Sequence, residues 1–398
     1  MPPLHRRGCL RSGVSLVAYA FAIACGGTTT APAPVPTPGA TGRFLYAASP
    51  SGPTLRSWSI EATTGRLTAI GETSLSGGAR ALSVVTDPSG RFLFVSRSGG
   101  RGGIDVFGIN GQSGVLTLAA GAPFDVDHQA DSLVADPSGR FLFAVRTFNF
   151  ATESFAIDPT SGALSSSPGR RLDLDDAPTA PVLRPDGRVL YYGAGSGARV
   201  RSASVDTVTG VLIQGGSTEV QDNVRALAVA PTGSFLYVTT ATPLSSNTLF
   251  AYRITQATGA LTSLSGTAFA SGFDAAGANF RPDTVAFDPV GRFAYILDRP
   301  GRTGAHSRGV FVFPLQSTGL FGPSVLGPFS TPPTEPFLNG DPVAFVLDPS
   351  GRFAYIADAT SGTISAFTID PLTGSLSPSG PPIAASGIAG APLIAITP

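Results

Sequence analysis

One phrase recurs through the chain and limits the folds open to it. It reads Asp87-Pro88-Ser89-Gly90-Arg91-Phe92-Leu93-Phe94-Val95. It returns as Asp136-Pro137-Ser138-Gly139-Arg140-Phe141-Leu142-Phe143, as Asp288-Pro289-Val290-Gly291-Arg292-Phe293-Ala294-Tyr295 and as Asp348-Pro349-Ser350-Gly351-Arg352-Phe353-Ala354-Tyr355. Weaker copies centre on Gly187 and Gly233, and a shortened one opens at Thr41-Gly42-Arg43-Phe44. The seven glycines fall at 42, 90, 139, 187, 233, 291 and 351, a spacing near 48 that stretches to 60 late in the chain. A period of this size means one supersecondary unit copied and stacked, not a string of unrelated domains.

Each copy carries the same internal order. In the second, the apolar run Leu82–Thr86 leads into the Asp-Pro-Ser-Gly turn, where Pro fixes φ and Gly takes the left-handed position. Arg91–Ser96 follows, apolar on both faces as a strand buried between two sheets must be. Ile104–Ile109, a Gly-containing turn and Val115–Leu118 complete the unit. That second turn also recurs, at Gly65, Gly162, Gly210, Gly259, Gly319 and Gly374. Four antiparallel strands, seven times over, predict an all-β chain: a seven-bladed β-propeller of four-stranded blades spanning 41–398. The first copy lacks its opening strand, and Pro392–Pro398 reads as that strand, so the C-terminus is expected to pair with the N-terminal blade and close the ring.

Composition agrees and narrows function. The chain has 49 Gly and 35 Pro, 13% charged residues and a formal net charge of zero. Nucleic-acid binding needs a basic excess that is missing here. Cys9 and Cys25 are the only cysteines and His5, His128 and His306 the only histidines, so neither a thiolate nor a His-rich metal centre can be built in the repeats. No cofactor or metal is expected. Asp173, Asp175 and Asp176 lie close together but lack a loop glycine at calcium-site spacing, and are read as not binding Ca²⁺.

The N-terminus reads as an address. His5, Arg6, Arg7 and Arg11 precede the 11-residue apolar run Val14–Ala24, short of the roughly 20 residues that span a bilayer. Ala22-Ile23-Ala24-Cys25 resembles a bacterial lipobox, with Ala22 where Leu is usual, which makes Cys25 the expected lipidation site. Residues 1–24 are then a lipoprotein signal peptide and 25–40 a Pro/Thr/Gly-rich tether. The expected location is the cell envelope, with membrane contact through the lipid anchor alone.

The two regular turns of an up-and-down blade emerge on one side of the disc. The irregular connections, Arg97–Gly103, Thr239–Asn247, Ser263–Asp283, Asp298–Gly309 and Gly322–Asp341, emerge on the other, which is where a site is expected. Arg97, Arg101, Arg146, Arg302 and Arg308 fall on that side and are read as scattered, solvated charges. A residue present in nearly every copy, such as Asp87 or Arg91, is expected to serve the blade.

The coupling of Asp-Pro-x-Gly-Arg-Phe-Leu with a following Thr-Gly-x-Leu resembles the seven-bladed lactonase propellers, which include bacterial 6-phosphogluconolactonases and fungal muconate-lactonizing enzymes. The resemblance runs from 41 to 398. It implies a metal-independent hydrolase of cyclic esters, but the family's site carries over only in part. Where a Pro-His-Ala-His-Ser segment is usual, this chain has His128-Gln129-Ala130-Asp131-Ser132, and both histidine positions hold other residues. Where Gly-Pro-Arg-His is usual, Asn223-Val224-Arg225-Ala226 keeps the Arg; an Asn-Glu-Leu segment is replaced by Thr240-Ala241-Thr242; and Asp298-Arg299 keeps the Arg of an Asn-Arg pair. Lactone opening needs a base to activate water and cationic donors for the oxyanion.

Two readings stay open. One is a monomeric binding scaffold with a degenerate lactonase site, taking an anionic or lactone ligand or an envelope protein on its variable face. The other is an active lactone or ester hydrolase, 6-phosphogluconolactonase-like, with Arg225 and Arg299 as donors and Asp131 or His128 as base.

Overall fold

The computed structural model describes residues 42–49, 51–99, 102–124, 126, 129–166, 169–195, 197–220, 222–240, 249–264, 282–298, 309–322, 342–359, 361–385 and 393–398. Cys25, with the signal and tether assigned to 1–40, lies outside them. Within them, seven antiparallel sheets follow one another along the chain, each joined strand to neighbouring strand in sequence order. The second blade is typical: Ala81–Thr86, Phe92–Arg97, Ile104–Ile109 and Leu116–Leu118. The sixth shows three strands, Pro282–Phe287, Phe293–Asp298 and Gly309–Pro314, followed by an isolated bridge between Leu315 and Phe321. The first blade has the predicted composite origin. Leu393–Ile396 is its inner strand, antiparallel to Arg43–Ala48 with Leu45 opposite Ile396 and Ala48 opposite Leu393.

Burial follows the position of a strand in its blade. Every second strand is buried along almost its whole length, as in Phe141–Arg146 and Phe235–Thr240, because both its faces pack against neighbouring blades. The inner strands are half-exposed over most residues, as in Ala81–Thr86 and Pro178–Leu183. Each inner strand packs against the inner strand of the next blade, and Leu393–Ile396 contacts both Ala81–Thr86 and Pro342–Leu347, so the ring is closed around a central channel. The seven apolar clusters each span the seam between two adjacent blades. One joins Phe44, Tyr46 and Leu55 of the first blade to Leu93, Val95 and Phe107 of the second.

The recurring turn is a capping device. Asp87 is buried, and its Oδ1 accepts the backbone N–H groups of Arg91 and Phe92, both at 2.7 Å, while Oδ2 accepts from the N–H of Ser89 at 3.0 Å. Gly90 sits at φ +68, and its N–H closes the turn on the Asp87 carbonyl at 3.0 Å. The arginine lies over the aromatic ring beside it, 5.4 Å for Arg91 on Phe92 and 5.5 Å for Arg292 on Phe293. The repeated Asp and Arg are structural, as their recurrence implied.

The same turns also bind blade to blade. Arg352 Nη1 donates to the carbonyl of Ala62, 3.1 Å away in the next blade round the ring, and Arg292 Nη1 to that of Pro371 at 2.9 Å. A second tie runs through tyrosine. The hydroxyl of Tyr46 donates to Gly114 O, Tyr191 to Gly259 O, Tyr237 to Gly319 O, Tyr295 to Gly374 O and Tyr355 to Gly65 O, at 2.7–3.1 Å. Each reaches from a second strand to the outer turn of the following blade, and the last returns from the seventh blade to the first. Burial pushes these phenols above their usual range, Tyr191 to about 12. Phe94 and Phe143 occupy the same repeat position in the second and third blades, and make no such tie. Tyr355→Phe should therefore lower stability by about 1–2 kcal/mol in urea denaturation, since it strands a buried carbonyl. A loss below about 0.3 kcal/mol would mean the hydroxyl contributes nothing to closure.

Candidate functional site

The mouth of the channel on the irregular side is built by the first residues of the inner strands. The register slips there in five blades, between Ala81 and Ser83, Thr179 and Val182, Val224 and Ala226, Pro282 and Thr284, and Pro342 and Ala344. A bulge leaves one residue out of the ladder and re-aims its side chain. In the fifth blade that residue is Arg225, and in the sixth it is Asp283. Both stand eight residues before their turn glycine, Gly233 and Gly291, so the repeat places them at equivalent points of adjacent blades. They form an ion pair: both Nε and Nη2 of Arg225 reach Oδ1 of Asp283. Asp283 is largely buried and Arg225 about one-third exposed.

Asp131 stands eight residues before Gly139 and so holds the same repeat position in the third blade, with Thr179 of the fourth between it and Arg225. Its carboxylate is employed locally. Oδ2 accepts the backbone N–H of Thr147 at 2.7 Å, just beyond the second strand of its own blade, and Oδ1 accepts from Gln129 Nε2 at 3.3 Å. The carboxylate that meets Arg225 is Asp283, whereas Asp131, read in the sequence as a candidate base, bonds within its own blade. In the sequence Asp283 ends an irregular loop, and the signal that marks it is its place eight residues before a turn glycine, the place Arg225 also holds. His128 and Arg299 lie outside the described residues.

The arginines expected to be scattered and solvated are otherwise where they can be seen. Arg97 is 15% exposed in its side chain, with Nε 3.6 Å from Oδ1 of the fully buried Asp105 and Nη1 donating to Ser76 O at 3.3 Å. Arg146 has no exposed surface, and its Nη2 donates to Glu153 Oε2 at 2.5 Å. Both end the second strand of their blade, where flanking blades exclude water, and a charge there has to be paired. Arg101, Arg302 and Arg308 lie outside the described residues. The acidic trio is likewise engaged by cations. Arg201 reaches Asp175 at 2.9 Å and Asp176 at 3.4 Å, and Arg171 reaches Asp173 at 2.8 Å. Hydrogen bonds from Gln214 and then Arg201 hold the Asp175 carboxyl below its ordinary range. Among the described residues no three His, Cys, Asp or Glu side chains gather as a metal site would require.

Fold and mouth together define a seven-bladed β-propeller, with the Arg225–Asp283 pair at the mouth of its channel. Residues 36–172 match the family model described as lactonase, 7-bladed beta-propeller, which bears out over that stretch the resemblance read in the repeats. No curated protein matches the chain. Solved structures share the fold over nearly their whole length. One is a candidate 6-phosphogluconolactonase from Bacteroides uniformis, 16% identical over 89% of this chain and 99% of that one, with a TM-score of 0.67. Another is the periplasmic gluconolactonase of Pseudomonas aeruginosa, 18% identical over 90% and 99%, with a TM-score of 0.64. The Cps50 (Swd1) propeller domain of Myceliophthora thermophila also aligns, 13% identical over 82% and 94%, with a TM-score of 0.54. Likeness at these identities is likeness of fold, and it reaches proteins of different description.

Proposed function

We propose that this protein is a ligand- or partner-binding propeller of the bacterial cell envelope, in which a lactonase site has become degenerate. The observation that carries this reading is the Arg225–Asp283 pair. The one described arginine that matches the family's site already has its charge met by a neighbouring carboxylate. The available base candidate, Asp131, already accepts hydrogen bonds on both oxygens. Opening a lactone needs an unengaged base beside the water it activates and donors aimed at the developing oxyanion. Neither group is presented in that state. The occupant suited to this mouth is a small anionic or lactone-like molecule, or an envelope protein.

The full chain should therefore open gluconolactone and 6-phosphogluconolactone no faster than buffer in a pH-stat assay. A rate above buffer that falls about a hundredfold in Arg225→Ala, the size of effect seen for lost oxyanion donors, would establish the hydrolase instead, with Arg225 and Arg299 as donors and Asp131 or His128 as base. The envelope address rests on the basic start, the short apolar run and Cys25. In a bacterial host, Cys25→Ser should move the protein from the membrane to the soluble fraction; retention in the membrane would rule out lipidation as the anchor.

A further inference from the structure

The seams between blades are not all closed alike on the regular-turn side. Five are tied by a tyrosine hydroxyl, and the two following Phe94 and Phe143 are not. In the third blade Arg140 still reaches across its seam to the carbonyl of Thr207, as Arg292 and Arg352 do across theirs. The equivalent of Thr207, Pro371 and Ala62 in the third blade's own outer turn is Pro159. Arg91 should by repetition donate to its carbonyl. It does not: Nε of Arg91 donates to Ser89 Oγ at 3.0 Å, just as Nε of Arg140 donates to Ser138 Oγ at 3.1 Å, but among the described residues no nitrogen of Arg91 bonds across the seam as Nη2 of Arg140 does. The seam between the second and third blades thus lacks both ties, and there a groove of about 580 Å³ opens, running under the third blade to Val208 of the fourth.

Three guanidinium groups line this groove. Arg140 and Arg170 lie 5.6 and 5.3 Å from the centre of the same Phe141 ring, and Arg91 faces them from the second blade. Nη1 of Arg170 is buried with no hydrogen-bond acceptor among the described residues, a state that a native site normally relieves. Asp87, the acidic group in the lining, has both oxygens taken by its own turn. Phe141, Ile157 and Val208 supply an apolar floor. The volume is that of a small-molecule site, and planar guanidiniums over an aromatic surface are suited to bind an oxyanion on both its oxygens.

We infer that this groove is a second ligand site, distinct from the channel mouth, which takes a small organic carboxylate or phosphate with an apolar body. The oxyanion lies between Arg91 and Arg170, and the body lies on Phe141 and Val208. The repeat itself made the site: each other seam is tied by a tyrosine hydroxyl, a turn arginine or both, and this one by neither.

Calorimetric titration of the full chain with phenyl phosphate, benzoate and inorganic phosphate tests this. Phenyl phosphate, benzoate or both should bind saturably, at least tenfold tighter than inorganic phosphate. Arg91→Gln and Arg170→Gln should each weaken that binding about tenfold, and Arg188→Gln, in the exposed turn of the fourth blade, should leave it unchanged. A measurement on the unaltered protein runs in parallel: the aromatic ligand should slow phenylglyoxal modification at Arg91 and Arg170 about tenfold, read by mass spectrometry, and not at Arg188. Failure of both aromatic ligands to saturate, or equal weakening in all three variants, or uniform modification rates would overturn the site.

Discussion

A chain that stops at residue 392 is expected to lose the ring. The last residues supply the inner strand of the first blade, and what they hold is specific. The N–H of Phe44 donates to Thr397 Oγ1 at 2.9 Å, and the N–H of Thr397 returns to Phe44 O at 3.0 Å. Thr86 Oγ1 of the second blade donates to Ile396 O at 2.9 Å, and a β-carbon at Gly90 would come within 3.5 Å of Thr397 and Pro398. Ala395 is buried with Phe44, Tyr46, Leu93 and Val95, while Ile394 and Ile396 pack toward the seventh blade. Several hydrogen bonds at about 1 kcal/mol each and several apolar side chains at roughly 1–2 kcal/mol each together approach the whole stability of an ordinary domain, about 5–15 kcal/mol. Deletion of 393–398 would also leave Arg43–Ala48 as an open, apolar edge, which invites pairing with other chains. The truncated protein should elute as aggregate in size-exclusion chromatography and show no cooperative thermal transition. A monomer whose midpoint lies within a few degrees of the full chain would show that the ring does not depend on this closure.

This closure was legible because it repeats a pattern. Thr397-Pro398 stands where Asp87-Pro88 stands in the next copy, and a missing strand at one end matched a spare strand at the other. The blade count, the turn chemistry and the structural role of the recurring Asp and Arg were legible for the same reason. What stayed hidden were contacts between copies, which no single copy contains. The tyrosine at the position of Tyr46 and Tyr355 looks within its own repeat like one more buried aromatic. Its hydroxyl partner is a carbonyl in another blade, 68 residues away for Tyr46 and 290 for Tyr355. Asp283 was hidden likewise: as a neighbour of Arg225 it exists only once the blades are side by side. The face expected to be quiet carries the inferred groove for a related reason. Regularity of sequence marks where seams close, and a site forms where one copy, here Arg91 with Phe94, follows the pattern in residue type or size but not in contact.

The buried pair in the third blade should show an asymmetry that the sequence does not suggest. Arg146 lies opposite Ala151 and Glu153 opposite Ala144, so the two charges meet diagonally across adjacent strands. Arg146 has no exposed surface, and its Nε and Nη1 have no acceptor among the described residues; the Glu153 side chain is 16% exposed at the rim. Removal of either partner breaks the same contact, but the survivors differ. Glu153 left alone can turn toward water, whereas Arg146 left alone is a charge fixed among strands on both sides. Glu153→Ala should therefore cost about 3–5 kcal/mol, the range for stranding a buried charge, and Arg146→Met markedly less. Arg146→Met with Glu153→Leu should recover most of the loss, because two apolar side chains of similar size need no partner there. Urea denaturation of the four proteins in a double-mutant cycle reads all of this. Equal losses in the two single variants, or a double variant no better than Glu153→Ala, would mean that packing of the arginine stem, and not its charge, is what the third blade requires.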